Sequence, residues 1–160
     1  MAAHDSEGAM GFIINKRAEG LSLGDILKDM PKSVAKTGLV NLPVYVGGPV
    51  QNDHGFVLHT SDYTKTQNSL SQELPIALTQ SADVLVDAAH GRGPEMMRLF
   101  LGYAGWGPGQ IEGELQDNAW LVCDANIADI FTSQSDDLYE KCVAAMGINL
   151  ALLSNEGGEA

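Results

Sequence analysis

Basic residues are what this chain lacks most. Nine Lys and Arg stand against 21 Asp and Glu, a net charge of −12. From Trp106 onward the only cation is Lys141, while Glu112, Glu114, Asp117, Asp124, Asp129, Asp136, Asp137, Glu140, Glu156 and Glu159 bring that part to −9. Such a surface repels a phosphate backbone, which disfavours direct nucleic-acid binding. The one basic cluster is Lys16, Arg17, Lys28, Lys32 and Lys36, and it reads more simply as a solvated face beside a helix end. A DNA-binding regulator would need all five on one continuous face.

Cysteine is scarce as well. Cys123 and Cys142 have no CxxC spacing and read as two reduced, half-buried thiols of a cytosolic protein. No apolar run approaches the ~18 residues of a membrane span. The start, MAAHDSEGAM, has neither the basic residues nor the apolar stretch of a signal peptide. A cytoplasmic protein without membrane contact is the expectation. Repeats, low-complexity tracts and linkers are missing too. With 44% hydrophobic and 19% charged residues, the 160-residue chain suits one globular domain. That domain is expected over 1–154, with a flexible tail over 155–160.

Several chemistries fail on spacing. His4, His54, His59 and His90 form no short chelate, and on a strand His54 and His59 point to opposite faces. No metal or cofactor is expected. The stretch GGPVQNDHGFVLHT (47–60) looks at first like a phosphate loop. It has no GxxxxGK[ST], no third glycine opening a helix, and β-rich sequence after it. It reads as strand, bend, strand, with Gly47 and Gly48 marking the bend. There is no GxSxG elbow. Glu112 and Glu114 lie ~200° apart on a 3.6-residue helix, so they cannot share one proton. No residue stands out as catalytic.

The pattern also places elements. GFIIN (11–15) suits a buried strand, and in GLSLGDILKDMP Ser22 and Asp25 form a capping box. Leu21 and Ile26 are placed as a staple, Ile26, Leu27 and Met30 as the buried stripe, and Pro31 as the stop. LVNLPVYVGG, GFVLHT and ELPIALT read as strands. SADVLVDAAHG reads as a helix capped by Ser81 and closed by Gly91. MRLFLGYAGW is a strand, GQIEGELQDN a short helix after Pro108 and Gly109, and WLVCD another buried strand. SDDLYEKCVAAMG is an amphipathic helix with Leu138, Cys142 and Met146 on one face, and INLALLS a last strand. Strands and helices mix without strict βαβ alternation, the mark of an α+β or mixed-sheet fold.

The densest unusual block is GYAGWGPGQIEGELQDNAW (102–120). Its aromatics can close a core edge while Asn118 caps the helix. Alternatively Tyr103, Trp106, Trp120, Gln110, Glu112 and Asn118 can line a shallow site.

Three blocks carry a family resemblance: Gly8-Ala9-Met10-Gly11 with Asn15-Lys16; Val46-Gly47-Gly48-Pro49-Val50 with Leu58-His59; and Gly102 to Trp106, Gly109 to Glu112, Glu114-Leu115, Asn118 and Trp120. Together they resemble the YqgE/AlgH family of bacterial proteins, from about His4 to Ser154. The resemblance implies an α+β fold with a mixed, branched β-sheet rolled into a pseudo-barrel with flanking helices. It implies a cytosolic protein of no settled activity, some relatives being labelled transcriptional regulators of exopolysaccharide production. Family members have a strand-forming segment before the position of His4, so the amino-terminal strand is expected to be missing here. Glu159 also stands where relatives commonly have histidine.

The expectation is therefore a non-enzymatic accessory or regulatory domain that binds a small molecule or a protein partner. Asn15, Lys16, Gly47, Gly48, Pro49, His59, Tyr103, Trp106, Gln110, Glu112, Asn118 and Trp120 are its candidate surface. The rival is a hydrolase or nucleotide-handling enzyme with His59 or Glu112 as base.

Overall fold

The computed structural model describes residues 1–29, 38–65, 74–124, 126–132 and 135–148. In chain order these form β1 (Ala3–Asp5), β2 (Gly8–Gly11), β3 (Arg17–Ser22), α1 (Leu23–Ile26), β4 (Pro43–Val46), β5 (Val50–Thr60) and β6 (Ile76–Thr79). They continue as α2 (Asp83–Ala89), β7 (Met97–Trp106), α3 (Gln110–Gln116), α4 (Ile127–Phe131) and α5 (Ser135–Ala145). Leu27–Asp29 and Gly38–Asn41 are 3-10 turns.

β7 is the hub because MRLFLGYAGW is long enough to serve several partners. It runs parallel to β4, with Val44 opposite Leu99, and antiparallel to β5, with Val57 opposite Leu99 and His59 opposite Met97. Its far end takes β2, with Ala9 opposite Trp106. The sheet thus branches at β7, and its path is β1-β2-β7-β4-β3 with β5 and β6 on a side limb. This is an α+β fold with a mixed sheet that does not close.

Alternation along the strands buries both faces. Val44, Val57 and Leu99 turn to one side and pack with Leu23, Leu27, Val84 and Leu85 from the helical segments. Tyr45, Phe56 and Phe100 turn to the other and pack with Leu58, Ile76 and Ile130. Phe12, just past β2, sets its ring 5.5 Å from Phe56 and 5.3 Å from Phe100. That contact rolls the β1–β2 limb over the second face. Truncating either fully buried phenylalanine to alanine costs about 3–5 kcal/mol.

Gly47 and Gly48 mark a close backbone approach. A Cβ on Gly47 would fall on the Gly102 carbonyl oxygen, and one on Gly48 on the Tyr103 carbonyl carbon. The bend between β4 and β5 is confined to residues 47–49, and β5 begins at Val50 with a bulge before Gly55. His54 is exposed while His59 is fully buried.

Three expectations are corrected, and one strand is new. Residues 12–15 are not a strand: β2 ends at Gly11, and Phe12 and Ile14 drop into the second core while the Ile13 N–H bonds Gly47 O. The segment RAEGLS, polar and without apolar alternation, is instead an edge strand, the place where charge is tolerated. The helix after Ser22 is one turn followed by a 3-10 turn, with the Ser22–Asp25 box intact at 3.3 and 2.9 Å. Its stop at Pro31 and its Met30 lie outside the described residues. WLVCD is no strand: residues 120–124 have no regular structure and are exposed, Cys123 among them. An apolar run of this length becomes a strand only by pairing with another, and no described strand pairs with it.

Smaller differences follow the same logic. Ser81 sits one residue before the α2 cap position yet still accepts the Asp83 N–H at 3.2 Å. On α5, Val143 is buried beside Leu138, while Cys142 and Met146 are half-buried. Most of INLALLS and the tail lie outside the described residues.

Candidate functional site

α3 positions the block that the sequence singled out. Gly109 precedes it with a φ of 73°, a left-handed conformation that suits glycine, and turns the chain from Trp106 into the helix. Asn118 ends it with a φ of 56° and its N–H on the Leu115 carbonyl at 3.1 Å. Gln110 and Glu114, four residues apart, share one face.

Glu114 is the centre of that face. One carboxylate oxygen accepts both indole N–H groups, Trp106 at 3.0 Å and Trp120 at 2.6 Å. The other accepts the Gln110 amide at 2.8 Å, and Gln110 in turn accepts the Gly107 N–H at 3.0 Å. The indole rings meet edge to face, 5.8 Å apart at 77°. The Trp120 bond first, then Gln110 and Trp106, hold the Glu114 carboxyl below its ordinary pKa. With three donors on it the group is an acceptor at rest, not a base awaiting a proton. Glu112 points the other way and accepts His4 Nε2 of β1 at 2.7 Å, which lowers its pKa too.

The three blocks meet by main-chain packing. The Val46 N–H bonds the Lys16 carbonyl at 2.8 Å and the Gly47 N–H bonds Leu101 O at 2.8 Å. Gly11 backs onto the Trp106 ring. Asn15 is half-buried, Lys16 and Pro49 exposed, and Tyr103 half-buried against Phe56.

His59 lies elsewhere. It faces Met97 at the opposite end of β7 from Trp106, nine residues and on the order of 30 Å of strand away. It is fully buried, with Nδ1 donating to the Thr60 carbonyl at 2.8 Å and its ring 5.7 Å from that of Tyr63. So the candidate bases of an enzyme are a histidine inside the core and a glutamate half-exposed in an ion pair.

A second polar cluster has no sequence signature. Asp87 on α2, 5% exposed, accepts Tyr63 OH at 2.8 Å, Lys65 Nζ at 2.5 Å and Arg92 at 3.2 Å. Lys65 first, then Tyr63, bring its pKa down to about 2 against desolvation. Burial first, then Asp87, pushes Tyr63 up to about 12. Tyr63 and Lys65 lie 24 and 22 residues from Asp87 in sequence, and Arg92 lies five away. Only the Gln110–Glu114 spacing hinted at the other hub. Of the basic cluster, Lys28 pairs with Asp25 at 2.5 Å, and Lys32 and Lys36 lie outside the described residues. No group of three or more His, Cys, Asp or Glu among the described residues is placed to hold a metal ion. No described helix is long and apolar enough to cross a membrane.

The family model described as AlgH-like matches residues 1–151. This chain belongs to the AlgH-like family. It is 42% identical to a UPF0301 protein of Rhizobium rhizogenes, over 100% of this chain and 82% of that one. A UPF0301 protein of Pseudomonas entomophila is 45% identical, over 98% and 82%. The solution structure of the AlgH protein of Pseudomonas aeruginosa superposes with a TM-score of 0.76 at 40% identity, covering 98% of this chain and 82% of the other. A Corynebacterium diphtheriae crystal structure, with a TM-score of 0.68 at 18% identity, shares the fold.

Proposed function

We propose that this AlgH-like protein is a non-catalytic accessory or regulatory domain that works by binding a protein partner through the α3 block. The observation carrying this reading is the run beside that block: Trp120, Leu121 and Val122 are 48%, 54% and 71% exposed, side by side. Contiguous exposed apolar residues rimmed by polar ones mark interaction surfaces, and tryptophan is a favoured anchor at such contacts. The burial of His59 and the ion-paired state of Glu112 weigh against the hydrolase reading.

A photo-crosslinking residue placed at Leu121 in living cells tests the proposal, with the exposed His54 position as control. A discrete crosslinked protein from 121, missing from 54 and lost with Trp120→Ala, supports it. Equal labelling from both sites, or none, rejects it.

A second reading rests on a cleft of about 460 Å³ lined by Leu39, Leu42, Ala88, Met96, Met97 and Phe131 among others. This is within the range of small-molecule sites. Thermal-shift screening of nucleotides and metabolites tests it, because a ligand at 100 times its Kd adds ~2.7 kcal/mol. A shift abolished by Met97→Asp favours the small ligand over the partner protein.

A further inference from the structure

Residues 117–124 are eight consecutive exposed positions. Within them, 120–124 read Trp-Leu-Val-Cys-Asp, rich in the aromatic and branched side chains that fit a pleated sheet. Among the described residues none of the main-chain N–H or C=O groups of 120–124 is hydrogen-bonded. A β-prone stretch with its backbone donors and acceptors open to solvent is a template for another strand. Alternate side chains then supply pockets and main-chain bonds supply affinity. The network around Glu114 fixes one end of this stretch by holding the Trp120 indole at 2.6 Å. That restraint lowers the ordering cost of pairing.

The charge around it narrows the occupant. From Gly107 to Glu140 there is no Lys, Arg or His, whereas Glu112, Glu114, Asp117, Asp124, Asp129, Asp136, Asp137 and Glu140 are all acidic. A second copy of the same stretch would bring acids against acids. An apolar segment flanked by cations would meet complementary charge and be steered to it.

We infer that residues 120–124 accept, by main-chain pairing, an extended apolar segment with basic flanks contributed by the partner protein. This rests on the proposed partner-binding role of the α3 block and names the chemistry of what binds there.

The probe is a fluorescent peptide, Lys-Lys-Val-Thr-Val-Thr-Val-Lys-Lys, titrated against the full chain by anisotropy. A twin with glutamate in place of each lysine serves as control. The basic peptide is expected to bind at least tenfold tighter than its acidic twin, and to weaken as salt rises. Hydrogen exchange with the peptide bound is expected to slow alternate amides across 120–124, the two-residue period of a paired strand edge. Val122→Pro and Cys123→Pro each remove one exposed N–H. One of the two is expected to weaken binding at least tenfold and the other to have the smaller effect, according to which N–H faces the peptide.

Uniform slowing of all five amides, or binding untouched by both prolines, overturns strand pairing. Equal binding of the acidic twin overturns the basic occupant, as does self-association through 120–124 in place of peptide binding. If Leu121 crosslinks a partner in cells while the peptide leaves these amides unchanged, the inference falls and the partner-binding proposal stands.

Discussion

Asp87 and Glu114 each gather donors from three different side chains, and they do opposite things. Asp87 lies buried on α2, and its donors are a phenol and two cations drawn from separate parts of the chain. Its network ties α2 to the end of β5 and keeps a buried charge satisfied. Glu114 lies on a surface helix, and its donors are two indoles and an amide, all neutral and all drawn from the single block between Trp106 and Trp120. Its network ties down a half-exposed tryptophan and leaves the net negative charge in place. The same acceptor chemistry holds a fold in one setting and presents a surface in the other. Charge of the donors and exposure of the surroundings decide which.

Between these two networks, removing the phenol donor gives the largest expected effect on stability. Tyr63→Phe should lower unfolding stability by about 1.5–3 kcal/mol, the range for a hydrogen bond to a charged group, as read from urea denaturation. A loss no greater than that of Trp106→Phe at the Glu114 network would erase the contrast.

Acid should expose the next difference. A carboxyl whose folded pKa lies below its unfolded value stabilises fully above the unfolded value, and the gain disappears as pH falls through the folded one. For Asp87 that window runs from pH ~4 to about 2. Asp87→Asn should therefore flatten the fall in melting temperature across this window while lowering stability at neutral pH. A mutant whose acid limb parallels the wild type would contradict the assignment.

Glu114→Gln should leave the melting temperature nearly unchanged but alter fluorescence. Trp106 and Trp120 are the only tryptophans, so emission reports on this network alone. Wild-type emission should change on acidification with a midpoint below the ordinary glutamate pKa, in line with the lowered value. The mutant should show no such transition. The smallest effect is expected from His4→Ala, which removes a half-exposed ion pair with Glu112 and should not measurably move the unfolding midpoint.

These contrasts also show what the sequence could carry. β7 is read correctly from Met97 to Trp106 because its alternation and its aromatic residues suit a pleated strand. The Ser22–Asp25 box is a three-residue signal, and it appears intact. The Glu112/Glu114 divergence follows from helix geometry alone, and the two side chains do part company. What fails depends on tertiary partners. RAEGLS is a strand only because it pairs with β4, and WLVCD is not one because no described strand pairs with it. The Tyr63–Asp87 pair spans 24 residues with no motif between. His59 shares a short sequence block with Gly47 and Gly48, yet β5 carries it to the far end of the sheet. Proximity in sequence along a strand is distance in space.

Residue-resolved amide hydrogen exchange on the full chain tests the central contrast most directly. The amides in the second half of α2, bonded within the helix around Asp87, should exchange only through global opening, while those of 120–124 in the free protein should exchange at nearly unstructured rates. Protection of 120–124 comparable to that of α2 in the absence of any partner would mean that this stretch is part of the fold rather than a surface held out for binding, and would contradict the account.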